Sequence, residues 1–303
     1  ASMWLQNSNS CNIQQPIPSG NNQYGHVASG NSGIQSAEQF QKLRHHATVE
    51  SALIQLSELA TDLSHFDPRS FIPGPSSCLI CCNSYTTQRL QLGVGPINDA
   101  ITVAANHKYM GYTVYFLHNP HHKVFLNFLR VFLQKVSSFL TVYYSGHGAQ
   151  IKDTSGDEAD GYDEVVVDSG RIVDDELAIY LNKYSLGTAH TILISDCCHS
   201  GTIWDIPETL NEARKFPPNI MSISASNDSQ TAKQANIGRK NQGIFTFNFF
   251  ALLRSKPYLA AGEAIKLLNP ELKRFSQQVE MYPTRPEMLT RPIFPLMVQR
   301  QMM

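Results

Sequence analysis

No run in this sequence approaches the roughly 20 apolar residues that a membrane-spanning helix requires. Nor is there an excess of charge: 24 Lys and Arg stand against 25 Asp and Glu, for a formal net charge of −1. That balance gives no bulk field to recruit nucleic acid or an anionic membrane surface. The N-terminus lacks the charged-then-apolar order of a secretory signal, and no internal repeat is visible. Cysteine is scarce: six in 303 residues (Cys11, Cys78, Cys81, Cys82, Cys197 and Cys198), which is not a disulfide framework at this length. Several lie in apolar, strand-like runs, where free cysteine behaves as a small hydrophobe. These absences set the expectations of a reducing, intracellular compartment (cytoplasm, with the nucleus open) and of no membrane or nucleic-acid partner. Ala1-Ser2 before Met3 reads as a tag remnant, with Met3 as the expected natural start.

What is present is ordinary globular material, 42% hydrophobic and 16% charged, enough to bury a core in one large or two ordinary domains. Residues 3–35 are rich in Asn, Gln, Ser and Gly; such a segment buries too little apolar surface to offset its ordering entropy and is expected to be a flexible arm. From Ser36 the apolar spacing predicts a helix ending near His65, then a Pro/Gly-rich connection, FDPRSFIPGPSS. Strands and helices then alternate. Strands are expected at Cys78–Cys82, Thr113–Leu117, Phe139–Tyr144, His190–Ser195 and Ile220–Ser224. A hairpin is expected around Asp168-Ser169-Gly170. Helices are expected at Ile97–Met110, Val124–Ser137, Asp174–Lys183, Thr246–Arg254 and Gly262–Val279. This order predicts an α/β domain with a mostly parallel sheet and right-handed crossovers.

In such sheets ligands bind beyond the carboxyl ends of the strands, and two ends are distinctive. FLTVYY runs into Ser145-Gly146-His147-Gly148; HTILIS runs into Asp196-Cys197-Cys198-His199-Ser200-Gly201. Alone, the first is an ordinary turn with an exposed histidine and the second a structural or weakly metal-binding segment. Together, if the strands are neighbours, they bring a thiol to an activating base. Zinc fails on ligand counting, since Cys78-x-x-Cys81 sits in a core-strand run and lacks a partner pair. A thioredoxin-type redox pair needs C-x-x-C, and adjacent cysteines seldom form a comfortable disulfide.

The two boxes, YYSGHGAQ (143–150) and DCCHSGT (196–202), resemble the histidine and cysteine boxes of metacaspases, caspase-like cysteine peptidases. Asn98-Asp99-Ala100, GDEADGYDE (156–164), IVDDE (172–176), SASNDSQTA (224–232) and GIFTF (243–247) extend the likeness in order, over roughly residues 77–297. The resemblance implies a caspase-like three-layer α/β sandwich with a mostly parallel central sheet flanked by helices. It implies a type I arrangement: a prodomain-like arm (1–35), then a peptidase domain (36–303). That domain divides into an N-terminal helix and connection (36–76), a p20-like part (77–215) and a p10-like part (216–303). Two features depart from it. The arm carries only Cys11 and no zinc-finger set, and Pro96 stands where many relatives carry cysteine.

By the family pattern D-x-C-H-S-G the nucleophile is Cys198, with His147 as general base and acid. Strand geometry agrees, because residues i and i+2 share a face, so Asp196 and Cys198 point one way and Cys197 the other. The resemblance implies an oxyanion hole from the Gly148 and Cys198 backbone N–H groups, and no third triad member. It also implies an acidic S1 pocket from Asp99 and Asp196, with Ser145 on its wall and Asp228 in the cleft; such a pocket selects Arg or Lys at P1. Alone, Asp99 would be an exposed helix carboxylate.

The run 153–164 places Asp153, Ser155, Asp157 and Glu164 at EF-hand positions, but Glu158 occupies the obligatory glycine position and flanking helices are missing. The resemblance instead implies an activating, non-catalytic Ca²⁺ held by Asp163, Asp174, Asp175 and Asp205. The expected function is therefore a Ca²⁺-stimulated cysteine endopeptidase acting after Arg or Lys on protein or peptide substrates, as a monomer. The alternative is a non-catalytic caspase-like scaffold. A latent form is a further expectation, with cleavage at Lys42 or Arg44 freeing the arm and at Lys233, Arg239 or Lys240 for maturation.

Overall fold

The computed structural model describes residues 46–151, 162–167, 169–197, 203–227 and 243–303, all within the compact unit Gly33–Met303; at 149–151, 162–164, 226 and 227 it describes the backbone. The polar arm and the basic residues at 42, 44, 233, 239 and 240 lie outside the described residues. No helix among the described residues is long and apolar enough to cross a membrane.

The first described helix, α1 (Val49–Leu59), is shorter than the expected one. Thr48 caps its start, its hydroxyl accepting from the Ser51 N–H at 3.2 Å, and Ala60 turns extended (φ −142°, ψ 152°). The chain then enters the short edge strand β1 (Thr61–Asp62) instead of continuing helically to His65. Strand β2 (Ser76–Cys82), helix α2 (Gly95–Tyr109), strand β3 (Thr113–His118), helix α3 (His122–Lys135) and strand β4 (Phe139–Ser145) follow as the alternation predicts. Next come three strands, β5 (His147–Ile151), β6 (Tyr162–Val167) and β7 (Gly170–Val173), forming a separate antiparallel sheet. Helix α4 (Asp174–Tyr184), strand β8 (His190–Asp196), the single turn α5 (Leu210–Ala213), strand β9 (Ile220–Asn227) and helix α6 (Ile244–Ser255) complete the parallel part. Helix α7 (Ala261–Lys273), strand β10 (Gln277–Pro283) and helix α8 (Pro295–Gln301) close the chain.

The main sheet has the order β1-β3-β2-β4-β8-β9-β10, parallel except for β10. Two further expectations needed correction. The SGHG segment is not simply a loop, since His147 begins β5. The last long helix ends at Lys273, because Ser276 takes a left-handed φ of 57° and redirects the chain into β10. That strand returns antiparallel along β9, Val279 opposite Ala225.

Each strand alternates its side chains between two apolar layers. Cys78, Ile80, Cys82, Tyr143, Ile192 and Ile194 face the layer built with α1, α2, α6 and α7. Leu79, Cys81, Val142, Tyr144, Leu193 and Cys197 face the layer built with α3, α4 and the small sheet. The result is the expected three-layer sandwich. Cys78, Cys81 and Cys82 are core residues whose thiols burial pushes well up from their ordinary range. This removes them as redox or metal candidates.

Candidate active site

Strands β4 and β8 are neighbours, and their last registered pair is Ser145 with Asp196. His147 and Cys198 each lie two residues beyond that pair in the sequence. Cys198, like Asp228, lies outside the described residues. Cys197 is described: it is 6% exposed and packs in the α3/α4 layer, on the face opposite Asp196.

The His147 ring is half-buried, and its Nε2 lies 2.7 Å from the Leu90 carbonyl oxygen. A carbonyl only accepts, so Nε2 carries the proton and Nδ1 holds the lone pair. Burial depresses the His147 pKa, and the bond to Leu90 opposes this more weakly. The ring is therefore neutral near pH 7, with one nitrogen oriented as an acceptor. Leu90 does what a third triad residue would do, through a backbone group that no sequence motif marks. Gly148 follows at the start of β5, half-buried.

On the α2/α6 face of the same sheet edge lies a buried polar set. Asp99 is 3% exposed, not the solvent-facing carboxylate that a lone helical Asp suggests. The Gly243 N–H donates to it. Gly243 has φ +91°, and a Cβ there would come within 3.0 Å of Asp99 Oδ1. Asp99 Oδ2 is buried without a hydrogen-bond partner among the described residues. Asp196 accepts from the Thr246 hydroxyl at 2.9 Å, and the Tyr143 hydroxyl lies 2.9 Å from Thr246 Oγ1 and also supports Asp196. Ser145 is buried near the Tyr143 hydroxyl. Burial, and then repulsion from Asp196, hold the Asp99 pKa well above the carboxylate range. Burial raises that of Asp196 to about 6, against the bonds from Thr246 and Tyr143. Thr246 and Tyr143 carry no role in the sequence reading, although both sit inside quoted motifs, GIFTF and YYSGHG.

The acidic positions are less complete. Among the described residues no group of three or more His, Cys, Asp or Glu is placed to hold a metal ion. Asp174 is buried at the start of α4, its Oδ1 accepting from the Asp175 N–H at 2.8 Å, while Asp175 is exposed. The β6/β7 register pairs Glu164 with Val173, which brings Asp163 and Asp174 to the same end of the small sheet. Asp205 is exposed in a turn after buried Trp204, with φ 52°.

Comparison with known proteins agrees with this architecture. The caspase-domain model of the peptidase C14 family matches residues 76–294, most of the chain, and the chain belongs to that family of cysteine peptidases. Within it the chain is metacaspase-like. It is 27% identical to Metacaspase-1A of Aspergillus terreus, across 48% of this chain and 52% of that protein. It is 43% identical to Metacaspase III c of Phaeodactylum tricornutum, across 25% of each. The chain thus spans about half the length, or less, of these curated relatives. The crystal structure of protein GSU0716 from Geobacter sulfurreducens shares the fold, with a TM-score of 0.51 at 19% identity, covering 73% of this chain and 98% of that one.

Proposed function

We propose that the protein is a cysteine endopeptidase that cleaves after Arg or Lys, with Cys198 as nucleophile and His147 as base and acid. The registered pair Ser145–Asp196 carries the proposal, because it puts the histidine and cysteine boxes at adjacent ends of parallel strands. The thiol proton passes to Nδ1 of His147, and the thiolate attacks the scissile carbonyl carbon. The oxyanion forms opposite backbone N–H donors of Gly148 and Cys198, each typically worth about 3–4 kcal/mol in the transition state. As the C–N bond breaks, the imidazolium returns the proton to the leaving amine. Water activated by the now neutral ring then hydrolyses the thioester.

Asp99 and Asp196 supply specificity. A guanidinium or ammonium entering the pocket meets an Asp99 oxygen that has no partner among the described residues and relieves the repulsion that the half-buried Asp196 exerts on buried Asp99. An acidic P1 side chain would add a third negative group. Asp228 belongs to the same cleft in this reading.

Calcium stimulation is proposed from the donor chemistry of Asp163, Asp174, Asp175 and Asp205. Hard carboxylate oxygens suit Ca²⁺, and the shared position of Asp163 and Asp174 supports the choice. The ion, when bound, offsets the charge of these groups, and no step of the reaction passes through it. Self-processing at the basic residues named above and a cytoplasmic location complete the proposal.

A monomer is also proposed, on the chemistry of the β10 edge. The Asn269 side chain engages both Val279 backbone groups, accepting its N–H at 2.7 Å and donating to its carbonyl at 3.2 Å. Pro283, at the strand end, has no N–H to offer, so this edge is a poor template for strand pairing.

The scaffold alternative is tested by titration with a thiol-reactive peptide bearing Arg at P1. Stoichiometric labelling of Cys198 supports the peptidase; absence of labelling supports the scaffold.

A further inference from the structure

The proposed chemistry uses the His147 ring, and the structure also shows what fixes the backbone that carries it. Two tyrosine hydroxyls bracket that residue. Tyr85 Oη accepts the His147 N–H at 2.6 Å and donates to the Val166 carbonyl at 2.7 Å. Tyr144 Oη donates to the His147 carbonyl at 2.7 Å and lies 2.8 Å from the Val166 carbonyl. The peptide planes on both sides of His147 are thereby fixed. A trans peptide holds its C=O and N–H antiparallel, so the Tyr144 bond also sets the direction of the Gly148 N–H.

Tyr85 adds a contact that Tyr144 does not. Its ring lies against the His147 ring, centroids 4.8 Å apart and planes inclined by 35°. It does so from a left-handed backbone, φ 63°, which is rare and strained for a bulky side chain. Asn119 holds that conformation: its Oδ1 accepts the N–H groups of both Ser84 and Tyr85 at 2.9 Å. Ser84 is tied in turn to His118, Oγ to Nε2 at 2.7 Å. A tyrosine that merely filled a core gap would not need this arrangement.

The first glycine of SGHG has its reason here. A Cβ on Gly146 would stand 2.6 Å from Tyr85 Oη and 2.7 Å from Tyr144 Oη, closer than real contacts allow. Residue 146 lacks a side chain so that the hydroxyls can reach the His147 backbone.

We infer that Tyr85 is a positioning residue for His147, setting both the backbone and the ring plane of the base from a strained loop locked by Asn119. The inference rests on reading His147 and Cys198 as the catalytic pair.

The test uses the full chain with Ca²⁺ and an Arg-P1 peptide, and reads kcat, KM, Cys198 alkylation by iodoacetamide and melting temperature. Wild type comes first. If it neither hydrolyses the peptide nor alkylates at Cys198, the peptidase reading falls and this inference loses its premise. With an active wild type, Tyr85→Phe should lower kcat roughly 10- to 100-fold, the scale of a small misplacement of a catalytic group. It should slow alkylation in parallel and leave KM within about twofold, since the acidic pocket is untouched. Wild-type kcat and alkylation in Tyr85→Phe would overturn the inference, as would a loss confined to KM. Gly146→Ala gives an independent reading should Tyr85→Phe fold poorly. Its methyl displaces the hydroxyls, so kcat should fall with KM held. The double variant should lose less than the product of the two single losses, because both remove one contact. Wild-type kcat in Gly146→Ala, or full multiplicativity in the double variant, would contradict it.

Discussion

Asp99 and Asp196 come from different elements, α2 and the end of β8, yet buried Asp99 and half-buried Asp196 lie within electrostatic reach of one another, and the charge of Asp196 makes Asp99 harder to ionise. Such an arrangement costs stability in the free protein and gains from an incoming cation. The sign follows from linkage. The folded pKa of Asp196, about 6, lies above its unfolded value near 3.8, so the folded state binds the proton more tightly. The pair therefore loses stability as pH rises through that window, and the full cost is present above about pH 6. Asp196→Asn should accordingly melt higher than wild type at pH 7, on the order of 5 °C for about 2 kcal/mol. It should show little gain at pH 4 while losing Arg-peptide turnover. Melting curves from pH 4 to 8 check this; a difference that does not grow with pH would contradict it.

The cysteines separate by face. Cys197 points into the α3/α4 layer, where it belongs to the same buried cluster as Leu193 and Ile203. Cys197→Ala should keep most of the activity and cost about 1–2 kcal/mol of stability from lost packing. Cys198→Ala should abolish turnover with an unchanged melting temperature. Kinetics and calorimetry on the two variants decide the assignment, and the reverse pattern would defeat it.

Calcium has a readout besides activity. If Asp163, Asp174, Asp175 and Asp205 hold the ion, Asp174→Asn should raise the calcium concentration at half-saturation tenfold or more in calorimetric titration. It should raise the activation midpoint equally. An unchanged titration in this variant would place the ion elsewhere.

The β10 edge yields a prediction about assembly. Asn269→Ala frees both Val279 backbone groups, so light scattering should detect concentration-dependent dimers that wild type does not form. A strictly monomeric variant, or a wild type that is already a stable dimer, would show that the amide is not what protects this edge.

Much of this was legible in residue order, and the exceptions have physical causes. The parallel strands announced themselves as short apolar runs ending in polar boxes, and their adjacency followed once the boxes had to meet. β5 was hidden because SGHG reads as a turn; its pairing with β6 is a non-local event without local signal. β10 was hidden because the expected helix ran on to Val279, and only the left-handed Ser276 ends it. The carboxylates of the pocket were nameable from the sequence. The burial of Asp99 and the hydrogen bond to Asp196 were not, since they depend on Gly243 and Thr246 arriving with the start of α6. Leu90 contributes only a carbonyl, a group every residue possesses. Tyr85 is an ordinary aromatic in sequence, and its role appears only where its hydroxyl crosses to the chain at His147.

The central claim is that the carboxylates of Asp99 and Asp196 direct a Cys198–His147 pair to bonds following basic residues. A peptide library varied at P1, assayed with and without Ca²⁺, tests it most directly. The account predicts hydrolysis after Arg and Lys that depends on Cys198 and rises with calcium, and none after Asp. Equal or faster cleavage after Asp would contradict it.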